Sequence, residues 1–408
     1  MPTLLQINVA SNYGSTGKIA EQIGLLALEN GWNSFIAHGA RYMNPSALQT
    51  IQISNKIGEF MHGFVYSLLF DKHGLGSAND TKKFINLISN QIKPDIIHLH
   101  NIHGYYLNYK LLFEFLSTIN VPVVWTLHDC WPFTGHCCYF DFEGCTRWKT
   151  GCFSCPLIRT YPKSLFADNS TFNYLLKKEC FTSLKDKLTL VPVSFWLENL
   201  LKQSFLRNIS THTIHNGIDT KIFRPTLTNN VVCKYNLHNK TVLLGVASPW
   251  TFRKGFLDFL KIRLLLPENY IILMVGLSDK QISQLPSGII GIKRTQNVHE
   301  LAELYTVANF FINPTYEDNY PTVNLEAISC GTPVITYNTG GSPEAVGNQT
   351  GTIVEKGDVQ AIVNAIHFLE QKNQEELRQD CLEYSKKYFD RITCFQKYID
   401  LYNSLLNI

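Results

Sequence analysis

Apolar runs broken by polar turns recur along the whole chain. Residues 4–9, 33–38, 95–100, 121–127, 188–194 and 211–214 read as buried strands, and a second series runs through 241–247, 270–276, 289–295, 310–312, 333–336 and 351–355. Helical segments lie between them at 19–30, 195–205 and 300–308. Another starts just after Pro321 and stops at Cys330-Gly331, where glycine accepts the left-handed cap conformation. Strand and helix in alternation predict an α/β fold with parallel sheets, whose ligands lie beyond the carboxyl ends of the strands. After residue 355 the pattern turns mostly helical and ends in a helix over 393–406.

Length and composition narrow this picture. At ~150 residues per domain, a chain of 408 residues calls for two or three domains. The first break falls near residue 220, where Asn216-Gly217 offers a turn and Pro225 a stiff exit, as a hinge requires. The expected domains are 1–220, 221–390 and a terminal helix, 391–408, that returns to the first domain. With 45% apolar and 17% charged residues the chain is a folded protein. A formal net charge of +3 is too small to argue for nucleic acid as a partner. Residues 1–215 are mildly basic, which suits a surface that meets anionic lipid.

No apolar run reaches the ~18 residues of a bilayer span, and the amino terminus lacks the basic start and long apolar region of a secretory signal. Eleven cysteines, an odd number, then predict reduced thiols and a cytoplasmic setting. The stretch IGEFMHGFVYSLLFDKHGL, within the apolar segment 53–75, is too short to cross a membrane but has one oily side. It suits either the first domain's core or lid, or peripheral contact with the inner face of a membrane.

Candidate chemistry sits at the strand ends. The turn NYGSTGK at 12–18 precedes a helix, and Gly14 and Gly17 permit a close backbone approach there, an arrangement that favours phosphate. His100 and His103 end one strand, and His128-Asp129 end the next. In the second half, Arg253 and Lys254 precede Gly255 on a loop leading to a helix; a guanidinium fork beside a compact ammonium suits a diphosphate. Glu317, Asp318 and Asn319 form an acidic turn, and Glu326 follows on a helix, eight residues after Asp318. Carboxylates there suit sugar hydroxyls, since each accepts two or more hydrogen bonds.

Six cysteines crowd into CWPFTGHCCYFDFEGCTRWKTGCFSCP, a Cys-rich insertion at 130–156. Cys137 or Cys138, with Cys145, Cys152 and Cys155, supplies the four thiolates of a structural zinc knuckle, the last two in C-x2-C spacing. Buried thiols or a redox pair are the alternatives.

The stretch FFINPTYEDNYPTVNLEAISCGTPVITYNTGGSPEAV resembles the nucleotide-sugar signature of the retaining GT-B glycosyltransferases of family 4, through Glu326-Ala327, Gly331-Thr332-Pro333-Val334 and Gly340-Gly341-x-Pro-Glu344. The Glu-Asp-Asn turn at 317–319 and the Cys-rich insertion are similar to the colanic-acid-type subgroup, and His215-Asn216-Gly217-Ile218-Asp219 resembles the family's interdomain junction. Two Rossmann-like, doubly wound parallel-sheet domains facing across a cleft are implied. So is transfer of a sugar from a nucleotide diphosphate donor to a hydroxyl of a glycan or lipid-linked oligosaccharide in surface polysaccharide biosynthesis, without a metal in the chemistry. By the same resemblance, Gly14 and Gly17 contact donor and acceptor, His128 lies near the anomeric carbon, and Thr295 to Asn297 read the donor's base. Glu326 holds the ribose, Asp318 with Glu317 meets the transferred sugar, and Asn319 belongs to the same donor site. The family's early Gly-Arg is Ala247-Ser248 here, so the arginine's task falls to Arg253 beside Lys254. The alternatives are a non-catalytic sugar-nucleotide-binding protein and a sugar-nucleotide epimerase of the same fold.

Overall fold

A computed structural model describes residues 1–227 and 229–408. The chain divides into two compact units, Met1–His215 with Phe395–Ile408, and Asn216–Cys394.

The first unit is built on a seven-stranded sheet of β1 (Thr3–Ser11), β2 (Asn33–Met43), β3 (Gln49–Gln52), β4 (Ile96–Leu99), β5 (Val123–Leu127), β6 (Leu188–Pro192) and β7 (Ser210–Thr211). Their order is β3-β2-β1-β4-β5-β6-β7, with every pairing parallel. β4, β5 and β6 are buried along their whole length, as parallel strands covered on both faces must be. Trp125, Phe113, Tyr109, Trp131 and Phe181 form an aromatic core beside β5, with Trp125 and Phe181 edge to face at 4.8 Å.

The second unit carries β8 (Thr241–Val246), β9 (Tyr270–Val275), β10 (Ile289–Ile292), β11 (Phe310–Asn313), β12 (Val334–Tyr337) and β13 (Gly351–Val354). These form one parallel sheet in the order β10-β9-β8-β11-β12-β13. Leu243, Ile272, Met274, Phe310 and Ile335 from the strands meet Phe259, Ile362 and Ile366 from the covering helices in one core.

Several boundaries differ from the sequence reading. The first helix spans Gly14–Glu29, so it begins five residues before the expected start at residue 19 and takes the glycine turn into its own first turn. β3, polar and mostly exposed at the sheet edge, has no counterpart in the expected strands. β7 is two residues long, where 211–214 was expected as a strand. The apolar segment after residue 53 forms the helix Lys56–Met61, which continues as a wider π-type coil over His62–Leu69. Ile57, Phe60, Met61, Phe64 and Phe70 are exposed there, so much of its oily side is not core. The last helix spans Arg391–Leu406 and runs from the second unit into the first.

Candidate active site

In each unit the strand order reverses once, between β1 and β4 in the first and between β8 and β11 in the second. Loops leaving the carboxyl ends of two such strands diverge to opposite faces of the sheet and open a crevice, the usual ligand position in doubly wound sheets.

In the second unit that crevice is flanked by the loop carrying Arg253 and Lys254 after β8 and the loop carrying Glu317 and Asp318 after β11. The two loops are bonded to each other. Arg253 Nη1 donates to the Glu317 carbonyl (2.5 Å), the Tyr316 amide donates to the Arg253 carbonyl (2.7 Å), and the Lys254 ammonium is ion-paired with the Asp318 carboxylate. Glu317 and Asn319 are buried, while Lys254 and Asp318 keep part of their surface in solvent.

The acidic turn is fixed from the other side by the glycine pair. Gly340 has φ +55°, and a Cβ there would lie 1.9 Å from the Asp318 carbonyl oxygen, which accepts the Gly341 amide at 3.0 Å. A buried polar network joins the same elements: Asn313 Nδ2 donates to Asn324 Oδ1 (2.8 Å), Asn324 Nδ2 to Ser342 Oγ (3.0 Å), and Thr336 Oγ1 to the Asn313 carbonyl (2.9 Å). The end of β11, the helix Thr322–Ser329, the end of β12 and the glycine turn are thereby tied into one network.

Glu326, half-buried on that helix, accepts the hydroxyl of the fully buried Tyr305 at 2.9 Å. Burial and the nearby Glu326 carboxylate push the Tyr305 phenol well above its usual range, so Tyr305 remains a hydrogen-bond donor. Thr295 and Asn297 lie apart from the crevice loops, on the loop after the edge strand β10. Asn297 has a local role: its side chain caps the helix Val298–Val307 by accepting the Glu300 amide (2.9 Å).

In the first unit, Gly14 and Gly17 follow β1, His100 and His103 follow β4, and His128 and Asp129 follow β5, all at one end of three adjacent strands. The helix Gly14–Glu29 has neither a side-chain cap nor an acidic residue in its first turn. Gly14, at φ +63°, would carry a Cβ into open space. A Cβ at Gly17 would meet Ala10 Cβ at 3.2 Å and the Asn12 amide at 3.3 Å, so its missing side chain serves the packing of the helix on β1.

Asp129 is held by its neighbours: Oδ2 accepts His103 Nε2–H (2.8 Å) and Oδ1 the Trp131 amide (2.9 Å). Burial opposes its ionisation, but the His103 imidazole and these hydrogen bonds outweigh it, and its pKa falls below the ordinary carboxylate value. His128 is partly exposed, and its Nε2 lies 3.1 Å from His100 Nδ1. Desolvation brings its pKa down to about 4, so the ring is neutral at neutral pH.

The Cys-rich segment is anchored by Lys177. Fully buried, its ammonium donates to the carbonyls of Trp131 (2.8 Å) and Thr134 (3.0 Å) and sits 3.5 Å from the centre of the Trp131 ring, while burial brings its pKa down to about 7. The Cys137 and Cys155 thiols are hydrogen-bonded; this contact lowers Cys155 to about 7, and Cys152 Sγ accepts the Gly135 amide at 3.1 Å. Cys145 lies within electrostatic range of Cys152. Among the described residues the four sulfurs of Cys137, Cys145, Cys152 and Cys155 do not converge as three or more ligand atoms around one point, whereas two other groups do: Asp71, His73 and His136, and His103, Asp129 and Cys138.

Members of both groups are engaged in hydrogen bonds in this structure. Trp131 Nε1–H donates to His73 Nδ1 (2.8 Å), so neutral His73 carries its proton on Nε2 and presents no lone pair to Asp71. His136 Nδ1 is bonded to Asp71 at 2.5 Å, and both ring nitrogens of His103 are engaged, by Asp129 and by the Tyr161 hydroxyl (3.2 Å).

Sequence reasoning placed His100 at a strand end but missed other residues that hold the site residues in place: Tyr305 behind Glu326, Gln6 behind His100 and His128, and Lys177 under the Cys-rich segment. A glutamine inside the apolar run 4–9 was an available signal; nothing in the sequence marked Lys177.

Comparison with known proteins agrees with this architecture. The family model described as Glycosyltransferase Family 4 matches residues 59–222, and that described as Glycosyl transferases group 1 matches residues 262–388. The chain belongs to the group 1, family 4 glycosyltransferases, and its fold is GT-B. The putative colanic acid biosynthesis glycosyl transferase WcaC of Escherichia coli (strain K12) is 30% identical over 170 residues, 39% of this chain and 40% of that protein. The chain thus spans about two fifths of the length of the curated relatives it matches. Among solved structures, sucrose-phosphate synthase from Thermosynechococcus elongatus superposes with a TM-score of 0.74 at 17% identity, covering 100% of both chains. Anabaena Alr3699/HepE in complex with UDP and glucose superposes with a TM-score of 0.67 at 13% identity, covering 99% of this chain and 100% of the other.

Proposed function

We propose that the protein transfers a sugar, with retention of configuration, from a nucleotide diphosphate donor to a hydroxyl of a glycan or lipid-linked oligosaccharide in polysaccharide assembly. The observation that carries this reading is the meeting of Arg253, Lys254, Glu317 and Asp318 at the β8/β11 switch point. Cleavage of the glycosidic bond loads negative charge onto the diphosphate, and cations held in place beforehand lower that barrier. Arg253 is braced on the Glu317 carbonyl, and Lys254 is stored on Asp318 until a phosphate competes for it. With two side-chain cations available, the reading gives the chemistry no metal.

Glu326 holds the donor ribose, oriented by Tyr305, while Asp318 with Glu317 meets the transferred sugar and Asn319 lines the same site. Thr295 and Asn297 belong to the base-reading loop. His128 meets the sugar near its anomeric carbon, with Gly14 and Gly17 offering backbone to donor and acceptor. No carboxylate nucleophile is assigned; a donor phosphate oxygen takes the acceptor's proton as the new bond forms on the face the leaving group departs from. HepE, solved with UDP and glucose, and WcaC, named for colanic acid biosynthesis, support the donor class and the pathway class.

The reading extends to two features outside the chemistry. Cys137, Cys145, Cys152 and Cys155 would hold a structural zinc by drawing their sulfurs together around it, a reading supported by the Cys137–Cys155 contact and the C-x2-C spacing. Exposed Ile57, Phe60, Met61 and Phe64, with Phe60 and Phe64 stacked at 5.9 Å, make peripheral contact with an anionic bilayer; no helix among the described residues is long and apolar enough to cross one. Binding to phosphatidylglycerol vesicles that survives Phe60→Ser and Phe64→Ser together removes the membrane part of the reading.

The function itself is tested with the purified protein. A panel of UDP, GDP and ADP sugars is screened by thermal shift, and the donor that stabilises it is then tried for transfer and for hydrolysis. A donor that binds but is neither transferred nor hydrolysed makes the protein a binder, not a catalyst.

A further inference from the structure

We infer that Gln6 is a positioning residue for His128, acting through His100 to decide which imidazole nitrogen carries the proton. The inference rests on the proposed role of His128 and deepens it.

Gln6 is fully buried on β1, and its side-chain nitrogen lies 2.8 Å from the Ala20 carbonyl oxygen. A carbonyl only accepts, so the amide NH2 group must face it, and Gln6 Oε1 faces the other way. Gln6 Oε1 lies 3.0 Å from His100 Nε2. An amide oxygen also only accepts, so His100 Nε2 carries a proton. His100 is fully buried, with the ring of His98 tilted against it at 4.0 Å between centroids, and it is neutral there. A neutral imidazole has one N–H, so His100 Nδ1 bears the lone pair. That lone pair lies 3.1 Å from His128 Nε2, which must therefore donate, and neutral His128 is left with its lone pair on Nδ1.

The obvious orienting group, the adjacent Asp129, is already engaged by His103 and the Trp131 amide. His98, the other ring near His100, is engaged by Tyr402 (2.6 Å) and Thr126 (2.8 Å). Proton placement at a strand-end histidine is thus set one strand over and one more beyond, in the order β1, β4, β5. In that tautomer Nδ1 of His128 can bond only groups that donate, a sugar O–H among them.

The test reads the tautomer directly. In protein labelled with 15N in the histidine rings, long-range 1H–15N spectra without substrate should show His128 as the Nε2–H form, its signals assigned by their loss in His128→Gln. Gln6→Met removes the acceptor and should shift His128 toward a tautomer mixture, with kcat/KM for transfer falling at least tenfold. Gln6→Glu should restore both, because a buried protonated carboxyl donates to Ala20 and accepts from His100 as the amide does. An Nδ1–H form in the unsubstituted protein overturns the inference, as does an unchanged His128 spectrum in Gln6→Met. If Gln6→Met does not fold, the unsubstituted spectrum and Gln6→Glu decide. A protein without transferase activity overturns the proposed function alone, since the spectra need no turnover.

Discussion

The ammonium of Lys254 and the carboxylate of Asp318 are paired across the loops that leave β8 and β11. A partly exposed pair of this kind contributes at most about 1 kcal/mol to stability. Its removal should therefore show in catalysis and not in folding. Lys254→Ala is expected to lower transfer by at least ~100-fold, the range seen when one fixed electrostatic partner of a transition state is lost, with Tm nearly unchanged. A rate close to that of the unsubstituted protein would remove Lys254 from the diphosphate site.

Glu326→Ala leaves the buried Tyr305 hydroxyl without this acceptor as well as removing the ribose contact. Donor affinity, measured by calorimetry with the nucleotide sugar chosen from the thermal-shift panel, should fall about tenfold or more, because a charged hydrogen bond contributes ~1.5–3 kcal/mol. Tyr305→Phe separates the effects: it keeps the carboxylate but loosens it, and should weaken the donor less than Glu326→Ala does. Equal losses would mean that Glu326 acts only through the fold.

Gly340→Ala should be among the most destabilising single changes in the second unit. The left-handed backbone and a Cβ 1.9 Å from the Asp318 carbonyl leave no room for a side chain without moving the acidic turn. A loss above ~2 kcal/mol is expected from strain and displaced packing together, read as a drop in denaturant midpoint. A neutral result would show that the two loops are not rigidly joined.

Acid should unfold the first unit before the second. His62 and His128 are held down to about 4 by burial, and His73, His98 and His100 lie well below 6.5 for the same reason. Their folded pKa values lie below the unfolded value, so the unfolded chain binds protons first and stability falls as the pH drops below about 6.5. Each such group costs up to about 1.4 kcal/mol per pH unit until its folded form titrates. All five belong to Met1–His215. Calorimetry between pH 7 and pH 5 should show the transition that carries Trp125 and Trp131 fluorescence moving down first; parallel shifts of both units would contradict this.

Metal analysis decides the zinc knuckle. Protein purified without chelator should contain about one equivalent, lost when Cys155→Ser and Cys152→Ser are combined. Less than half an equivalent in the unsubstituted protein would leave Cys137, Cys145, Cys152 and Cys155 as metal-free thiols.

Strand ends and their charged loops were readable because each follows from an apolar run; Arg253, Lys254, Glu317, Asp318, His128 and Asp129 all lie within eight residues of the end of a strand. Elements with weak local patterns were not. β3 is QTIQ, four residues that are mostly exposed, and its pairing with β2 owes nothing to apolar periodicity. The supports of the site were hidden for a different reason: Gln6 and His100 are 94 positions apart, Tyr305 and Glu326 sit on neighbouring helices, and Lys177 acquires its partners only once the chain folds back on Trp131. Asn297 is the converse: its cap to Glu300 is local, three residues away, yet the sequence reading starts the helix only at residue 300.

The last helix supplies Tyr402 to His98 and Tyr398 to Thr126, groups 304 and 272 positions earlier. During synthesis these polar groups inside the opening sheet wait until Tyr398 and Tyr402 have left the ribosome. The first half of the nascent protein therefore reaches its final packing only after the second has been made, and a stalled or shortened chain exposes an unfinished core to chaperones and proteases.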